Sequence, residues 1–443
     1  MNNVEFHIGL DDIDDPAGRC TTHFASLVVE LLSKHSVEWL DYPNLIRLNP
    51  GIPFRTRGNG AVALRFKSES DTISKLSPLI EEMIRDYVDE TYPNTNPGFI
   101  LTSGKVPEQL RNFSEQALWR TIPIALTRRI IEQHNFSHFT IGNGRGLVGA
   151  LAAIGNTLYR DHTFEYLAYR RLDQTSEKRG VDVESVIAMD RHLGDYVFSN
   201  LDEKNRILIE PHGPDPVLYG IRGETAAAVV EAASLVKSAQ SVERWLVFRT
   251  NQATGEHLTH QVRIRDLRPY VAAMVQGHVD KEPRIFEGGF VVFGIKDDTA
   301  RIDCAAYEPT RQFRDIVSSL QIGDEVRVHA SVRPRSRTHE ITLNLEGLEI
   351  LHLSPDIQFQ NPLCPECNKR MKSAGTGKGF KCAKCGYRDR EGTKTEKDVE
   401  RKITKGLYLP PLSAQRHLTR PVSRLKMNNS GQSFALVGKW RNH

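Results

Sequence analysis

Four carboxylates in five positions, Asp11, Asp12, Asp14 and Asp15, mark the stretch of this 443-residue chain best suited to chemistry. Like charges this close repel one another, and a plain turn has no need of them. A hard divalent cation relieves the repulsion, and Mg²⁺ is held by one or two carboxylates together with phosphate oxygens. Thr21 and Thr22 follow, hydroxyls placed to reach a metal-bound phosphate. An acidic, solvated strand-to-helix turn is the competing reading of the same spacing. The elements that must hold these groups are legible on either side. Val4, Phe6, Ile8 and Leu10 alternate with Glu5, His7 and Gly9, the period of a half-buried strand. Pro16 and Gly18 turn the chain, and one of the two threonines is placed to cap a helix. Phe24, Leu27, Val28 and Leu31 give that helix an apolar stripe. Its first turn offers backbone N–H groups and a positive dipole end to a phosphate.

A second group of residues suits the same anion. Arg55, Arg57, Gly58, Asn59 and Gly60 form a basic, glycine-bearing turn before a strand at 61–66. Guanidinium forks match phosphate, and glycine lets backbone approach it. A surface hairpin explains the turn equally well. Cys364-Pro-Glu-Cys367 and Cys382-Ala-Lys-Cys385 supply two C-x₂-C pairs at the spacing of a zinc ribbon. Four thiolates with no open position imply a structural tetrahedral Zn²⁺; a tandem redox pair is the alternative. Lys369, Arg370, Lys372, Lys378, Lys381, Lys384 and Arg388 surround the ribbon, as suits a support for RNA phosphates. Cys20 and Cys304 are left over, Cys20 reading as packing rather than as a nucleophile, and no disulfide partner is expected from six cysteines in so long a chain. His7 and His23 read as packed or solvated rather than catalytic.

Composition is that of a globular protein, 39% hydrophobic and 26% charged, with no apolar run long enough for a membrane span. No secretory signal is visible, so a cytoplasmic location is the expectation. The net charge of +4 conceals a split. Residues 355–443 carry 19 Lys and Arg against 7 Asp and Glu, on an acidic body with 40 against 48. A basic end of this kind suits a polyanionic partner.

The middle of the chain reads as α+β. Gly142-Asn143-Gly144-Arg145-Gly146 opens a helix of small residues at 147–154, which implies close packing rather than a dinucleotide fold. Strands at 164–169, near 207–210, at 217–221 and at 245–249, with a helix at 225–237, complete a ferredoxin-like pattern. Short alternating strands at 289–295, 300–306, 326–332 and 339–345 fit a small barrel of the oligonucleotide-binding (OB) type, with Arg311, Arg333, Arg335 and Arg337 as basic contacts. A charged helix is expected around 396–403, and Phe434, Leu436 and Trp440 are placed to anchor the C-terminal end to the body.

The segments GLDDIDDPAGRCTTHFA, IRLNPGIPFRTRGNGAVAL, TNPG, GRGLVGALAAIG and PVLYGIRGE occur in an order that resembles the archaeal 2-agmatinylcytidine synthetases of the minor isoleucine tRNA, and the likeness spans nearly the whole chain. The resemblance implies a multidomain α+β protein. Its parts would be an atypical kinase-like ATP-binding domain (1–125), a ferredoxin-like agmatine-binding domain (126–270), an OB-fold barrel (271–354), a zinc ribbon (355–392) and a basic C-terminal segment (393–443). It implies use of ATP, Mg²⁺ and structural Zn²⁺ to join agmatine to the wobble cytidine of the tRNA bearing a CAU anticodon, so that AUA is read in place of AUG. ATP would be cleaved to AMP and phosphate. Its α-phosphate would activate the cytidine C2 carbonyl, and its γ-phosphate would pass to Thr21, with Thr22 the alternative acceptor. Asp11, Asp12, Asp14 and Asp15 become the metal and ATP-handling carboxylates, and Thr22, Arg55, Arg57, Gly58 and Asn59 the phosphate contacts.

Agmatine needs a carboxylate or carbonyls for its guanidinium and an apolar wall for its methylenes. Asp161, Glu165 and Tyr219 are the candidates within the implied agmatine domain, and Arg222, which would repel agmatine, is assigned to phosphate. A non-enzymatic RNA-binding protein built on barrel and ribbon has no use for the acidic cluster or the threonines. An ordinary protein kinase is disfavoured by the lack of HRD-like and DFG-like segments.

Overall fold

The computed structural model describes residues 3–54, 58–337, 339–432 and 435–443. Among them ten strands join in one sheet. In chain order the elements of this part are β1 (Asn3–Asp11), α1 (Thr21–Ser33), β2 (Glu38–Trp39), β3 (Asn44–Arg47), β4 (Gly60–Glu69), α2 (Thr72–Tyr87), β5 (Gly98–Ser103), α3 (Glu108–Ala117), α4 (Ile124–Gln133), β6 (Ser137–Thr140), α5 (Gly146–Gly155), β7 (Thr163–Tyr169), α6 (Val183–Leu193), β8 (Val197–Phe198), β9 (Val217–Gly223), α7 (Ala226–Leu235) and β10 (Arg244–Thr250). The order across the sheet is β6-β5-β1-β4-β3-β10-β7-β9-β8, with β2 on β4. The first and second halves meet at a parallel pairing of β3 with β10, Arg249 opposite Asn44 and Thr250 opposite Leu45.

The alternation in β1 predicts one buried face, yet both are covered. Phe6, Ile8 and Leu10 join the core beneath α1 and α2, while His7 and Gly9 lie buried beneath α5. Glycine makes this possible. A Cβ at Gly9 would fall 2.2 Å from the carbonyl oxygen of Ala150, and one at Gly149 would fall 1.9 Å from Asp11 Oδ2. The small-residue helix therefore packs backbone to backbone on β1, as its composition implies. Arg65 fixes its far end: Nη2 donates to the carbonyls of Ala153 (3.2 Å), Ile154 (3.0 Å) and Asn156 (2.8 Å), the groups a helix C-terminus leaves unpaired. Nε of the same residue donates to Asn44 Oδ1 at 2.7 Å. Burial lowers its pKa to about 10, so the guanidinium remains charged near neutrality.

The second sheet comprises β11 (Ala272–Ile285), β12 (Val291–Lys296), β13 (Arg301–Ala306), β14 (Glu325–Arg333) and β15 (Thr342–His352), with α8 (Gln312–Ser318) between β13 and β14. A β13–β15 pairing closes it on itself. Cys304 is buried in this core. β16 (Asp356–Gln360) leads to a three-stranded ribbon of β17 (Lys372–Ser373), β18 (Phe380–Lys381) and β19 (Arg388–Asp389); β20 (Thr395–Val399) returns from it, and β21 (Gly406–Tyr408) rejoins the barrel edge on β15.

Three expectations need correction. The charged helix near 396–403 is instead β20, paired antiparallel with β16 from Asp356↔Val399 to Gln360↔Thr395. Cross-strand pairing overrides the weak helical preference of Glu and Lys. The strand near 207–210 is reduced to a single bridge, Leu201↔Ile207. Cys20, not a threonine, occupies the N-cap of α1, and Thr21 and Thr22 are its first helical residues.

Gly149→Ala should lose roughly 1–3 kcal/mol of stability, because the new methyl group must displace either Asp11 or α5. Chemical denaturation of the parent and variant checks this, and an unchanged midpoint would contradict the packing described.

Candidate functional site

The turn between β1 and α1 divides its four aspartates by role. Asp15 Oδ1 accepts from the backbone N–H groups of Ala17 (2.8 Å), Gly18 (3.0 Å) and Arg19 (3.2 Å), so it shapes the loop itself. Asp14 Oδ1 accepts from Thr21 Oγ1 at 3.3 Å, and the same Thr21 oxygen accepts from the N–H of Ile13 at 3.1 Å. Thr21 is thus tied to a carboxylate at its first helical position, whereas Thr22 contacts Cys20 Sγ at 3.2 Å.

Asp12 sits in the left-handed region (φ 57°) and accepts from the N–H of Asn96 at 3.1 Å. Non-glycine residues held in this region cluster at functional sites. Asn59, at φ 49°, is a second one nearby. Asp11 is half-buried against α5, and its carboxyl is pushed well up, first by burial and then by the charges of Asp12 and Asp14. That like-charge strain is the chemistry of a cation site. Among the described residues, however, only cysteines bring three or more ligand atoms within 4.8 Å of one another. The four aspartates are not among them, so no three of their ligand atoms lie that close together.

Two cavities flank this turn. The larger, about 480 Å³, is walled by Asp14, Thr21, Thr22, Gly58 and Asn59 on one side and by Glu165, Glu210, Asp215 and Arg222 on the other. The smaller, about 60 Å³, is bordered by Asp11, Asp12, Asn59, Arg120, Arg145 and Gly149. Arg145 also stacks on Phe54, 3.9 Å from its ring centre. Asn59 borders both cavities. Arg55 and Arg57 lie outside the described residues.

The three agmatine candidates are not brought together. Glu165 lines the large cavity, where its Oε1 accepts from Arg222 Nε at 3.1 Å and its Oε2 from Gln252. Tyr219 is buried and stacked on Tyr166 at 6.1 Å, away from the cavity lining. Asp161 is committed elsewhere. Its oxygens take Arg420 and Arg424, and Arg424 Nε reaches Glu224 Oε1 at 2.5 Å. These pairs pin the C-terminal segment, whose Leu412, Ser413, Gln415, Arg416, His417 and Thr419 roof the large cavity. His417 Nδ1 lies 3.1 Å from Arg222 Nη2. Trp440 is buried against Trp39 and Tyr42, and Leu436 packs on the same core; Phe434 lies outside the described residues.

Sequence reasoning missed this roof, and it missed Glu210 and Asp215. Their signal was present: two carboxylates in a proline- and glycine-rich segment, Glu210-Pro-His-Gly-Pro-Asp215. His7 and His23 are buried and hydrogen-bonded, His7 to Gly104 O (2.9 Å) and His23 to Tyr87 Oη (2.9 Å). Burial lowers their pKa values to about 4 and about 3, which keeps both neutral.

At the far end of the molecule the Sγ atoms of Cys364, Cys367, Cys382 and Cys385 all lie within 4.8 Å of one another. The N–H of Lys384 points at Cys382 Sγ (3.4 Å), a contact suited to a thiolate. This donor set fits tetrahedral zinc. All seven basic residues named around the ribbon are exposed.

Comparison with known proteins agrees along the chain. Residues 7–143 match the TiaS TCKD domain, 144–257 the TiaS FLD domain and 361–403 the TiaS C-terminal zinc ribbon domain. TiaS of Staphylothermus marinus, a 2-agmatinylcytidine synthetase of the isoleucine-2 tRNA, is 39% identical over 433 residues, 96% of this chain and 94% of that protein. Its counterpart from Methanosarcina mazei is 40% identical over 429 residues, 94% of this chain and 97% of that protein. The crystal structure of TiaS in complex with the isoleucine-2 tRNA and ATP superposes with a TM-score of 0.85 at 36% identity, covering 97% of this chain and 99% of that one. That of TiaS with the same tRNA, AMPCPP and agmatine gives 0.82 at 33%, covering 96% and 98%. No helix among the described residues is long and apolar enough to cross a membrane. The chain belongs to the TiaS family of 2-agmatinylcytidine synthetases acting on the isoleucine-2 tRNA.

Proposed function

We propose that the protein uses ATP to join agmatine to the wobble cytidine of the minor isoleucine tRNA. Its working parts in this reading are a kinase-like N-terminal domain, a ferredoxin-like agmatine domain, an OB-type barrel and the zinc ribbon. The observation that carries it is the Thr21–Asp14 hydrogen bond on the wall of a cavity large enough for nucleoside and amine. Thr21 Oγ attacks the γ-phosphorus of ATP, and Asp14, already hydrogen-bonded to it, takes the proton. Asp11 and Asp12 would hold Mg²⁺, which supplies positive charge against the phosphate oxygens. Asn59, which borders both cavities, would hold the γ-phosphate within reach of Thr21, with Arg120 and Arg145 beside the rest of the phosphate chain. A phosphoryl group on Thr21 brings roughly −1.5 to −2 charges beside Asp14, a load that needs those cations.

The C2 oxygen of cytidine then attacks the α-phosphorus of the ADP that remains and expels the β-phosphate as inorganic phosphate; agmatine's amine adds at C2, loses a proton and expels AMP. Glu210 would hold the guanidinium, with Asp215, whose Oδ1 is paired with Arg179 at 3.2 Å, shaping the loop beside it; Leu167, Ile207, Ile209 and Val217 would offer the methylenes an apolar wall. Glu165, with Oε1 on Arg222 and Oε2 on Gln252, positions that arginine at the cavity rather than binding agmatine alone.

Thr21→Ala should abolish transfer of labelled agmatine to the tRNA transcript, while Thr22→Ala should retain most of it; the reverse pattern moves the phosphate acceptor to Thr22. Glu210→Gln should raise KM for agmatine roughly 10- to 100-fold with the ATP dependence little changed, and an unchanged agmatine KM would remove Glu210 from the amine site. Cys382→Ser should release zinc and weaken tRNA binding more than ATP binding, as titrations with each ligand would show; equal tRNA affinity would deny the ribbon a role in RNA binding.

A further inference from the structure

The barrel carries an aromatic column that the reaction does not use. At the tip of the β11–β12 hairpin, Phe286 stacks on Phe290 with ring centres 5.1 Å apart and planes 8° from parallel. Phe290 stacks in turn on Tyr307, at 5.9 Å and 28°. Arg333, at the end of β14, lies at the hydroxyl edge of the innermost ring: its guanidinium carbon is 6.0 Å from the Tyr307 ring centre and its Nη1 donates to Tyr307 Oη at 2.6 Å.

The outer end is open. Phe286 is 46% exposed and its neighbour Ile285 71%. Gly288 and Gly289, both at positive φ, allow the tight tip that brings the two phenylalanine rings face to face. A ring with one face packed in a stack and the other bare is costly to leave in water, and it is the shape a nucleobase covers.

Charge selects among occupants. Arg284 stands two residues before Phe286, and Arg333, Arg335 and Arg337 line the neighbouring hairpin, all exposed. Glu287 is the one carboxylate in residues 285–290; Glu308, paired with Arg314, packs beside Gly289, and Arg335 is paired with Glu340. Aromatic faces bordered by guanidinium groups suit an unpaired nucleotide, whose base stacks while its phosphates meet arginine. We propose that the bare face of Phe286 is a stacking platform for an unpaired base of the bound RNA, distinct from the reacting cytidine, with Arg284 beside its phosphate. This rests on the RNA-modifying role proposed above and adds a second base contact to it.

The test uses the full-length chain and an in vitro transcript of the isoleucine tRNA with a CAU anticodon. Phe286→Ala should weaken transcript binding roughly 5- to 150-fold. Phe286→Trp should bind as the parent does, and its added indole fluorescence should be quenched as transcript is titrated in. Phosphate labelling from γ-labelled ATP without RNA should match the parent in both variants. Parental affinity in Phe286→Ala, or an unquenched Phe286→Trp, overturns the platform and leaves the proposed activity standing. Failure of the parent itself to bind the transcript removes the platform and that reading together.

Discussion

The close contact of α5 with β1 is the constraint from which the site follows. Two glycines, Gly9 and Gly149, let a helix lie against a strand at a distance no side chain permits. Arg65 holds that helix by its C-terminal carbonyls from within the core. The opposite end of the helix then faces the place where β1 runs out into aspartates. Packed as it is, Asp11 is half-buried beside Asp12 and Asp14, and its carboxyl is driven upward by both burial and repulsion. The fold thus crowds carboxyl groups at the end of β1, the arrangement on which the proposed metal-bound nucleotide depends.

The same turn serves as a partition. Asp11 and Asp12 look into one cavity, Asp14 and Thr21 into the other. Asp15 looks into neither and spends an oxygen on three backbone N–H groups, so the partition keeps its shape. The large cavity lies where the two halves of the ten-stranded sheet meet, and the C-terminal segment closes it from above. Arg424, nearly inaccessible to solvent, secures that roof through Asp161 and Glu224. Charge that the composition assigns to a polyanionic partner is in part used internally, by Arg401, Arg420 and Arg424.

What could be read from the sequence was whatever lies close together along it. The acidic turn, the paired cysteines, the small-residue helix and the barrel strands each announce themselves within a few tens of residues. Partners far apart in sequence could not be read. Asp161 looked available for a cationic ligand because Arg424, its partner, stands 263 positions away. Nothing in the sequence around Arg65 shows that the end of α5, 88 to 91 residues on, rests on it. Glu210 and Asp215 share a cavity with the threonines only because the loop bearing them folds back beside α1. The segment 395–399 shows the opposite failure: its Glu and Lys favour a helix locally, and pairing with β16 overrules them.

The central claim is that a hydroxyl held by Asp14 accepts phosphate. Incubating the purified protein with ATP and Mg²⁺, without RNA or agmatine, and mapping phosphopeptides by tandem mass spectrometry tests it most directly. Phosphate on the peptide containing residues 19–24, with fragment ions that locate it to Thr21, is the predicted result. An unmodified peptide after ATP has been consumed, or phosphate located elsewhere in the chain, would contradict it.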